Sequence, residues 1–367
     1  MFQKKKDDAS AWTKAKASRF LLLSSKEKMF FAKYLGVMLQ AGIPLDRSLV
    51  AIHNQSRSSS LHAVLHIVLT DVASGEFLSS SLKKFPRLFD NLFINMVTVG
   101  EESGTLAESM FRLADHIGKT RELQAKIRGA TLYPLIVVSG TLATAAYLVL
   151  VLLPQLAPLF ISLNIDLPWT TRVVLNGSVF LTNEWPWVIA GIVALIGAWI
   201  TLRHIQPTRY AIDWVALRIP VLGPLIKKIE IAQMSSVAGT LLKAGVTIID
   251  ALKIAAASAG NAVYRHWYFA VADSIQEGED ISHYLAKHRG LFPGFVTQMI
   301  AIGEETGKLD DSFLFISDFA QTEIDDATKT LTTVLEPLLL LVVGGFVGFI
   351  AIAIITPIYS LTTGIHT

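Results

Sequence analysis

Two short acidic runs are where chemistry would be sought first in this sequence: Gly100-Glu101-Glu102-Ser103-Gly104 and Gly303-Glu304-Glu305-Thr306-Gly307. Adjacent carboxylates can ligate a hard cation. Successive residues of a helix point in different directions, however, so either pair alone supplies only a fraction of a coordination shell. The flanking glycines offer a second reading. Gly100 and Gly104, with Gly303 and Gly307, permit a sharp helix–helix turn or a close approach, and acids there favour a helix amino terminus through its dipole. A structural turn and a contact with a cation or partner both stay open.

The remaining catalytic vocabulary is missing. With no cysteine there is no disulfide framework, thiolate zinc site or cysteine nucleophile. The nine histidines include His62 and His66 at i and i+4, without a nearby acidic third ligand or an HExxH pattern. The sequence contains no Walker A loop, dinucleotide fingerprint or G-x-S-x-G elbow. No enzyme, cofactor or metal centre is expected. A formal net charge of +2 with both signs interspersed gives no footprint for direct binding to nucleic acid.

The acidic runs belong to an internal repeat. Shifting the chain by 203 residues lays Leu39, Ala41 and Gly42 on Leu242, Ala244 and Gly245, and Met96 on Met299. The same shift lays Gly100, Glu101, Glu102, Gly104 and Leu106 on Gly303, Glu304, Glu305, Gly307 and Leu309, and Pro134 and Pro154 on Pro337 and Pro357. A period this long means duplicated domains and not a solenoid. Inside each copy the pattern is helical. Ser24 with Glu27 forms a capping box ahead of Phe30, Phe31, Tyr34, Leu35, Met38 and Leu39, and Gly42 and Pro44 then end one helix and begin the next. Further helices are expected near residues 60–74, 78–84 and 91–99, with a long one from about Thr105. Each copy reads as a bundle of about six helices.

Apolar content of 52% and a mean hydropathy of +0.48 are high for a soluble chain, while 17% charged residues is high for one buried wholly in lipid. Three segments match the roughly 20 apolar residues that span a bilayer: 131–153, 185–202 with Trp187 and Trp199 near its ends, and 334–356 with Glu336 at its entrance. Of the 32 basic residues only Arg172 falls between the first two spans, and none follows Pro357. Positive charge stays on the cytoplasmic side. The organisation read from this is an all-α polytopic membrane protein with two homologous cytoplasmic helical-bundle domains and three transmembrane helices. Residues 1–23 form a basic arm, 24–130 the first bundle, 131–153 the first span, 154–184 a periplasmic loop and 185–202 the second span. Residues 203–226 form a connector, 227–333 the second bundle, 334–356 the third span and 357–367 a periplasmic tail. The amino terminus is cytoplasmic and the carboxyl terminus periplasmic. The arm, with Lys4, Lys5, Lys6, Lys14, Lys16 and Arg19 around Phe2, Trp12 and Phe20, reads as a solvated tail or as a contact for anionic lipid or a partner. Gly344, Gly345 and Gly348 permit close helix contact in the third span and are compatible with a homo-oligomer.

The run from Lys126 and Ile127 through Tyr133 and Pro134 to Leu148, Leu152, Leu153 and Pro154 resembles the signature of the type II secretion F family, which includes the platform proteins of type IV pili. The GE-x-[ST]-G-x-L motif in both copies, the Ala-Gly turns at Gly42 and Gly245, and Arg218–Leu225 are similar to that family as well. The likeness covers about residues 24–360, departing at Thr131 and at Asp90, where the second copy has Pro293. The resemblance implies a non-enzymatic scaffold in the bacterial inner membrane. Its implied partners are a cytoplasmic hexameric ATPase, pilin or pseudopilin, and other inner-membrane assembly proteins. Pilus assembly is the first reading; a type II secretion or DNA-uptake machine is the alternative, and a small transporter a more distant one.

Overall fold

The computed structural model describes residues 22–152, 154–155, 169–220 and 222–364; most of the basic arm, residues 156–168 and the last three residues lie outside the described residues. Among the described residues every regular element is helical.

The first bundle begins with α1 (Ser25–Gln40), where the capping box forms as the sequence predicts: Glu27 N–H donates to Ser24 Oγ at 3.2 Å and Ser24 N–H to Glu27 Oε2 at 2.6 Å. Gly42, at φ 79°, takes the left-handed conformation that turns the chain, and Pro44 opens α2 (Leu45–Gln55). Next come α3 (Ser59–Ala73), capped by Ser58, then α4 (Leu78–Lys83) and α5 (Asn91–Glu102). Asp90 caps α5, accepting from Phe93 N–H at 2.9 Å, at the position where Pro293 precedes the matching helix of the second copy. The departure at residue 90 thus exchanges one helix-starting device for another. Helix α6 (Leu106–Tyr147) continues through Pro134 and ends in a π-helical turn, Leu148–Leu152.

Helices α7 (Trp169–Asn183), α8 (Trp185–His204) and α9 (Gln206–Ala216) lie between the copies. The segment read as a loop therefore carries α7, whose mixture of Thr, Asn, Ser and apolar residues is too polar to register as a span. The second bundle follows: α10 (Leu222–Lys243), α11 (Ile248–Ser258), α12 (Ala262–Gln276), α13 (Ile281–Ala286), α14 (Gly294–Thr306) and α15 (Leu309–Gly364). Pro337 and Pro357 fall inside α15.

The chain divides into two compact units. One holds both bundles, up to Ala125 and from Asp213 to Ile324; the other holds Lys126–Ile212 and Asp325–Thr367. In the first unit Phe31, Leu35, Leu49, Ile52, Phe89 and Phe93 are fully buried, with the Phe31 and Phe93 rings stacked at 6.1 Å. Tyr264, Tyr268 and Phe292 form the corresponding centre of the second bundle, Phe292 standing 203 residues after Phe89. Truncating such aromatics typically costs about 3–5 kcal/mol.

In the second unit, Thr171 Oγ1 donates to the Ala353 carbonyl at 2.6 Å and the Trp169 and Phe349 rings lie 6.3 Å apart, which pins α7 to α15. Ala145, Ile350 and Ala353 are buried within it, but much of its apolar surface is turned outward: Leu135, Ile136, Leu195 and Leu341 are all more than 60% exposed. Two helical stretches, Leu106–Leu152 and Trp185–Arg203, are long and apolar enough to cross a membrane, and α15 contains the shorter apolar stretch Leu339–Ala353.

Candidate functional site

The acidic turns are built the same way in both copies. Glu101 reaches back from the end of α5 to the amino terminus of α4, where its two carboxylate oxygens accept from Leu78 N–H at 2.5 Å and Ser79 N–H at 2.8 Å. Glu304 does this for α13, accepting from Ile281 N–H at 2.6 Å and Ser282 N–H at 3.2 Å. Neither Phe77 nor Asp280, the residues at the N-cap positions, caps with its own side chain. The glutamate from a neighbouring helix thus supplies the acceptor that a six-residue helix needs at its orphan amides.

The glycines answer to two different demands. Gly104 and Gly307 have φ of 72° and 68° and make the turn. Gly100 and Gly303 are approached by the next helix: a Cβ on Gly100 would lie 2.8 Å from Ser109 Oγ, and one on Gly303 2.6 Å from Ser312 Oγ. Leu106 and Leu309 start the long helices and are half-buried beside those glycines. Glu102 and Glu305, by contrast, are exposed in both copies.

The 203-residue shift pairs further contacts absent from the sequence reading. A Cβ on Gly36 would come 3.2 Å from the Ala107 carbonyl, and one on Gly239 3.1 Å from the Asp310 carbonyl, so α1 and α10 cross their long helices at equivalent points. Lys84 pairs with Glu76, and Lys287 with Glu279. The remaining motif positions are dispersed. Gly245, at φ 93°, matches Gly42; Tyr133 is half exposed beside Pro134 in α6; and Pro154 lies beyond the π-helical turn. The structure gathers the acidic turns in each bundle and leaves the prolines on the apolar helices.

The bundles meet through α5 and α6 of the first copy and α10, α11 and α15 of the second. His116 Nδ1 and Ser236 Oγ are 2.8 Å apart, and burial holds the imidazole below its usual range against the pull of Asp90 and Asp115. Lys119 donates to Asp318 Oδ1 at 2.8 Å and lies 3.6 Å from Asp115. Burial works to lower its pKa, but the hydrogen bond to Asp318 and the two aspartates prevail and raise it.

Equivalent acids in the two copies have opposite environments. Glu230 is buried; its Oε1 accepts from Asn261 N–H at 2.8 Å, while Oε2 has no partner among the described residues. Burial raises its carboxyl to about 7; the amides of Asn261 and Gly260 and the charge of Arg265 oppose the rise, and Asp213 adds to it. Glu27, 203 residues earlier, is only half-buried. Burial would raise its pKa as well, but hydrogen bonds from Ser58 and Ser24 bring it below the usual value.

Chemically this is an assembly of caps and packing contacts. Among the described residues no group of three or more His, Cys, Asp or Glu is placed to hold a metal ion. His53 does join His62 and His66, its ring 3.7 Å from that of His62, and burial followed by repulsion from both neighbours depresses the His62 pKa.

Comparison with known proteins fits this geometry. The model of the family described as "Type II secretion system (T2SS), protein F" matches residues 31–154 and again 234–357, two segments offset by 203 residues at each end. A type IV pilus assembly protein PilC from Thermus thermophilus is 35% identical over 336 residues, covering 92% of this chain and 82% of the relative. A PilC from Myxococcus xanthus is 33% identical over 345 residues, covering 94% and 82%. A type II secretion system protein F from Xanthomonas campestris is 33% identical over 336 residues, covering 91% and 82%.

Proposed function

Since the chain belongs to the type II secretion system protein F family, we propose that it is the inner-membrane platform of a type IV pilus assembly machine, coupling a cytoplasmic ATPase to the insertion or extraction of pilin. The observation that carries this reading is the continuity of α6 and α15. Each begins in a polar bundle beside an acidic turn and runs without a break into apolar helix. A load applied to the bundle reaches the bilayer through a single covalent element. Each bundle is a cytoplasmic domain in this reading, and three spans, 131–153, 185–202 and 334–356, guide hydrophobic pilin helices. The outward apolar side chains of the second unit support placing it in lipid, because in water that surface would cost about 25 cal/mol for every Å². The chain is not an enzyme, and it works with the hexameric ATPase, pilin or pseudopilin, and other inner-membrane assembly proteins, as a homo-oligomer and without binding nucleic acid directly.

The type II secretion reading is kept because a relative of that name reaches 33% identity. Deleting the gene in its native host separates the two. Loss of surface filaments with secretion intact is expected, whereas intact filaments with exoproteins trapped in the periplasm overturns the pilus assignment. Topology is tested by alkaline phosphatase fusions, active between residues 154 and 184 and after residue 357, and inactive in either bundle. Nucleotide-dependent crosslinking of the bundles to the cognate ATPase tests the coupling.

A further inference from the structure

The two bundles meet through unlike faces, and each bundle has one such face left over. The first copy presents α5 and α6, and the second receives them on α10 and α11, with His116 of α6 meeting Ser236 of α10. The side of α10 that carries Ser236 is closed: Val237 is 1% and Thr240 7% exposed. On α1 the equivalent positions, 203 residues earlier, are Tyr34 and Val37, and these are 39% and 50% exposed. With Phe30, whose ring lies 4.1 Å from that of Tyr34, they form an apolar stripe at helical spacing. The other leftover face is on α14 and α15. Leu92 of α5 is buried, whereas its counterpart Phe295 is half-exposed and lies 4.3 Å from the Phe319 ring and 6.2 Å from that of Phe315. Phe315 and Phe319 stand where the first copy has Arg112 and His116, and they are 53% and 43% exposed.

We propose that these two faces bind each other between chains: the phenylalanine face of α14 and α15 docks on the α1 stripe of a second copy, repeating between molecules the contact that joins the bundles within one. The contact rests on the homo-oligomer reading above and gives that oligomer its surface. Three observations select a second copy as the occupant. The open faces are the repeat equivalents of the two that are mated inside the chain, so each finds in another copy the kind of surface this fold already fits. Both are apolar, and the positions facing a partner have exchanged polar for aromatic or aliphatic side chains: Arg112 and His116 for Phe315 and Phe319, Gln233 and Thr240 for Phe30 and Val37. A contiguous exposed patch of this kind marks an interaction surface, whereas a single exposed apolar residue does not. Finally, Lys119 with Asp318 and Lys126 with Asp325, seven residues further along both helices, run α6 and α15 side by side in one direction. Repeating that relation keeps the second chain's long helices parallel to the first chain's, and so directed into the same bilayer. The contact is heterologous and needs no two-fold axis through either face.

The absence of cysteine from the chain makes the test direct. Under the 203-residue shift the pair His116 and Ser236 becomes Phe319 and Lys33. Phe319→Cys is therefore placed in one tagged copy of the full-length protein and Lys33→Cys in another with a different tag; the two are co-expressed, purified in mild detergent and treated with a short bis-maleimide. His116→Cys with Ser236→Cys in a single chain, whose native side chains meet at 2.8 Å, is the positive control. The mixed pair is expected to give a severalfold higher yield of interchain product than either variant alone. Val37→Glu, at an exposed position, is expected to lower that yield severalfold while leaving the internal product of the control chain unchanged. No mixed product while the control reacts, or a mixed yield indifferent to Val37→Glu, would each overturn the proposal. Phe319→Cys linking to itself as readily as to Lys33→Cys would overturn it too, by setting the phenylalanine face against its own image. The mass of the unlinked wild-type protein separates this surface from the wider reading: an oligomer without mixed product removes this surface alone, and a monomer removes the homo-oligomer with it.

Discussion

At the scale of single residues, identical neighbours in sequence have unequal duties. Glu101 and Glu304 each accept from two backbone amides, while Glu102 and Glu305 face solvent. Hydrogen bonds to a charged group contribute about 1.5–3 kcal/mol, so Glu101→Ala or Glu304→Ala should lower the midpoint of thermal unfolding in detergent clearly. Glu102→Ala should leave it within error, and equal losses at both positions would refute the division of labour. The motif was legible in the sequence, but its partner was not, because the capped amides lie 22 and 23 residues away and no periodicity reports such a contact. Glu230 gives a pH prediction. Its folded pKa, about 7, lies above the ordinary 4.5, so the folded state holds the extra proton between those values. The stability present below pH 4.5 is therefore lost as pH rises through 7, by on the order of 3 kcal/mol for the whole shift. Asp213 and Arg265 also face this carboxyl, and His116 has the opposite sign, since a depressed imidazole pKa destabilises as pH falls. Melting curves from pH 5 to 8 should thus show Glu230→Gln flattening the loss on the alkaline side; a variant with the wild-type slope would assign that slope elsewhere.

At the scale of elements, the helices and their breaks were readable because capping boxes, turn glycines and apolar spacing are local signals. The crossings between helices were only half readable. Gly100 and Gly303 carry a visible motif, whereas Gly36 and Gly239 sit in ordinary helical sequence and reveal their role only when α6 and α15 are laid against them. The two kinds of crossing should respond differently to a methyl group. Gly303→Ala meets the Ser312 side chain, and overpacking of this sort costs about 1–3 kcal/mol. Removing the obstacle with Ser312→Gly should recover part of that loss. Gly239→Ala meets backbone as well, with Leu314 N at 3.0 Å and the Asp310 carbonyl at 3.1 Å, so Leu314→Ala should not rescue it. Thermal melts of the single and double variants decide, and equal rescue at both sites would contradict the packing described. The helix α7 escaped the sequence reading because its polar face hides it from a hydropathy criterion, while Thr171 secures it by one buried hydrogen bond.

At the scale of the whole molecule, duplication fixes the architecture: two bundles in one unit, each sending a helix into the apolar unit. Lys119 and Asp318 join the copies, and a partly exposed pair of this kind contributes up to about 1 kcal/mol. Lys119→Glu should make the bundles more susceptible to limited proteolysis, and adding Asp318→Lys should restore resistance; failure of the swap would show that the pair does not hold the interface. That pair is also lopsided. The position 203 residues after Lys119 is Thr322, and the one 203 before Asp318 is Asp115, so the bridge has no mirror image in the other half. A dimer of identical chains would have to carry each change on both sides of its axis. Two copies on one gene are free of that constraint, and substitutions at matching positions of the two halves should consequently differ in severity, with replacement of Lys119 felt at the junction of the bundles and replacement of its counterpart Thr322 leaving that bridge intact.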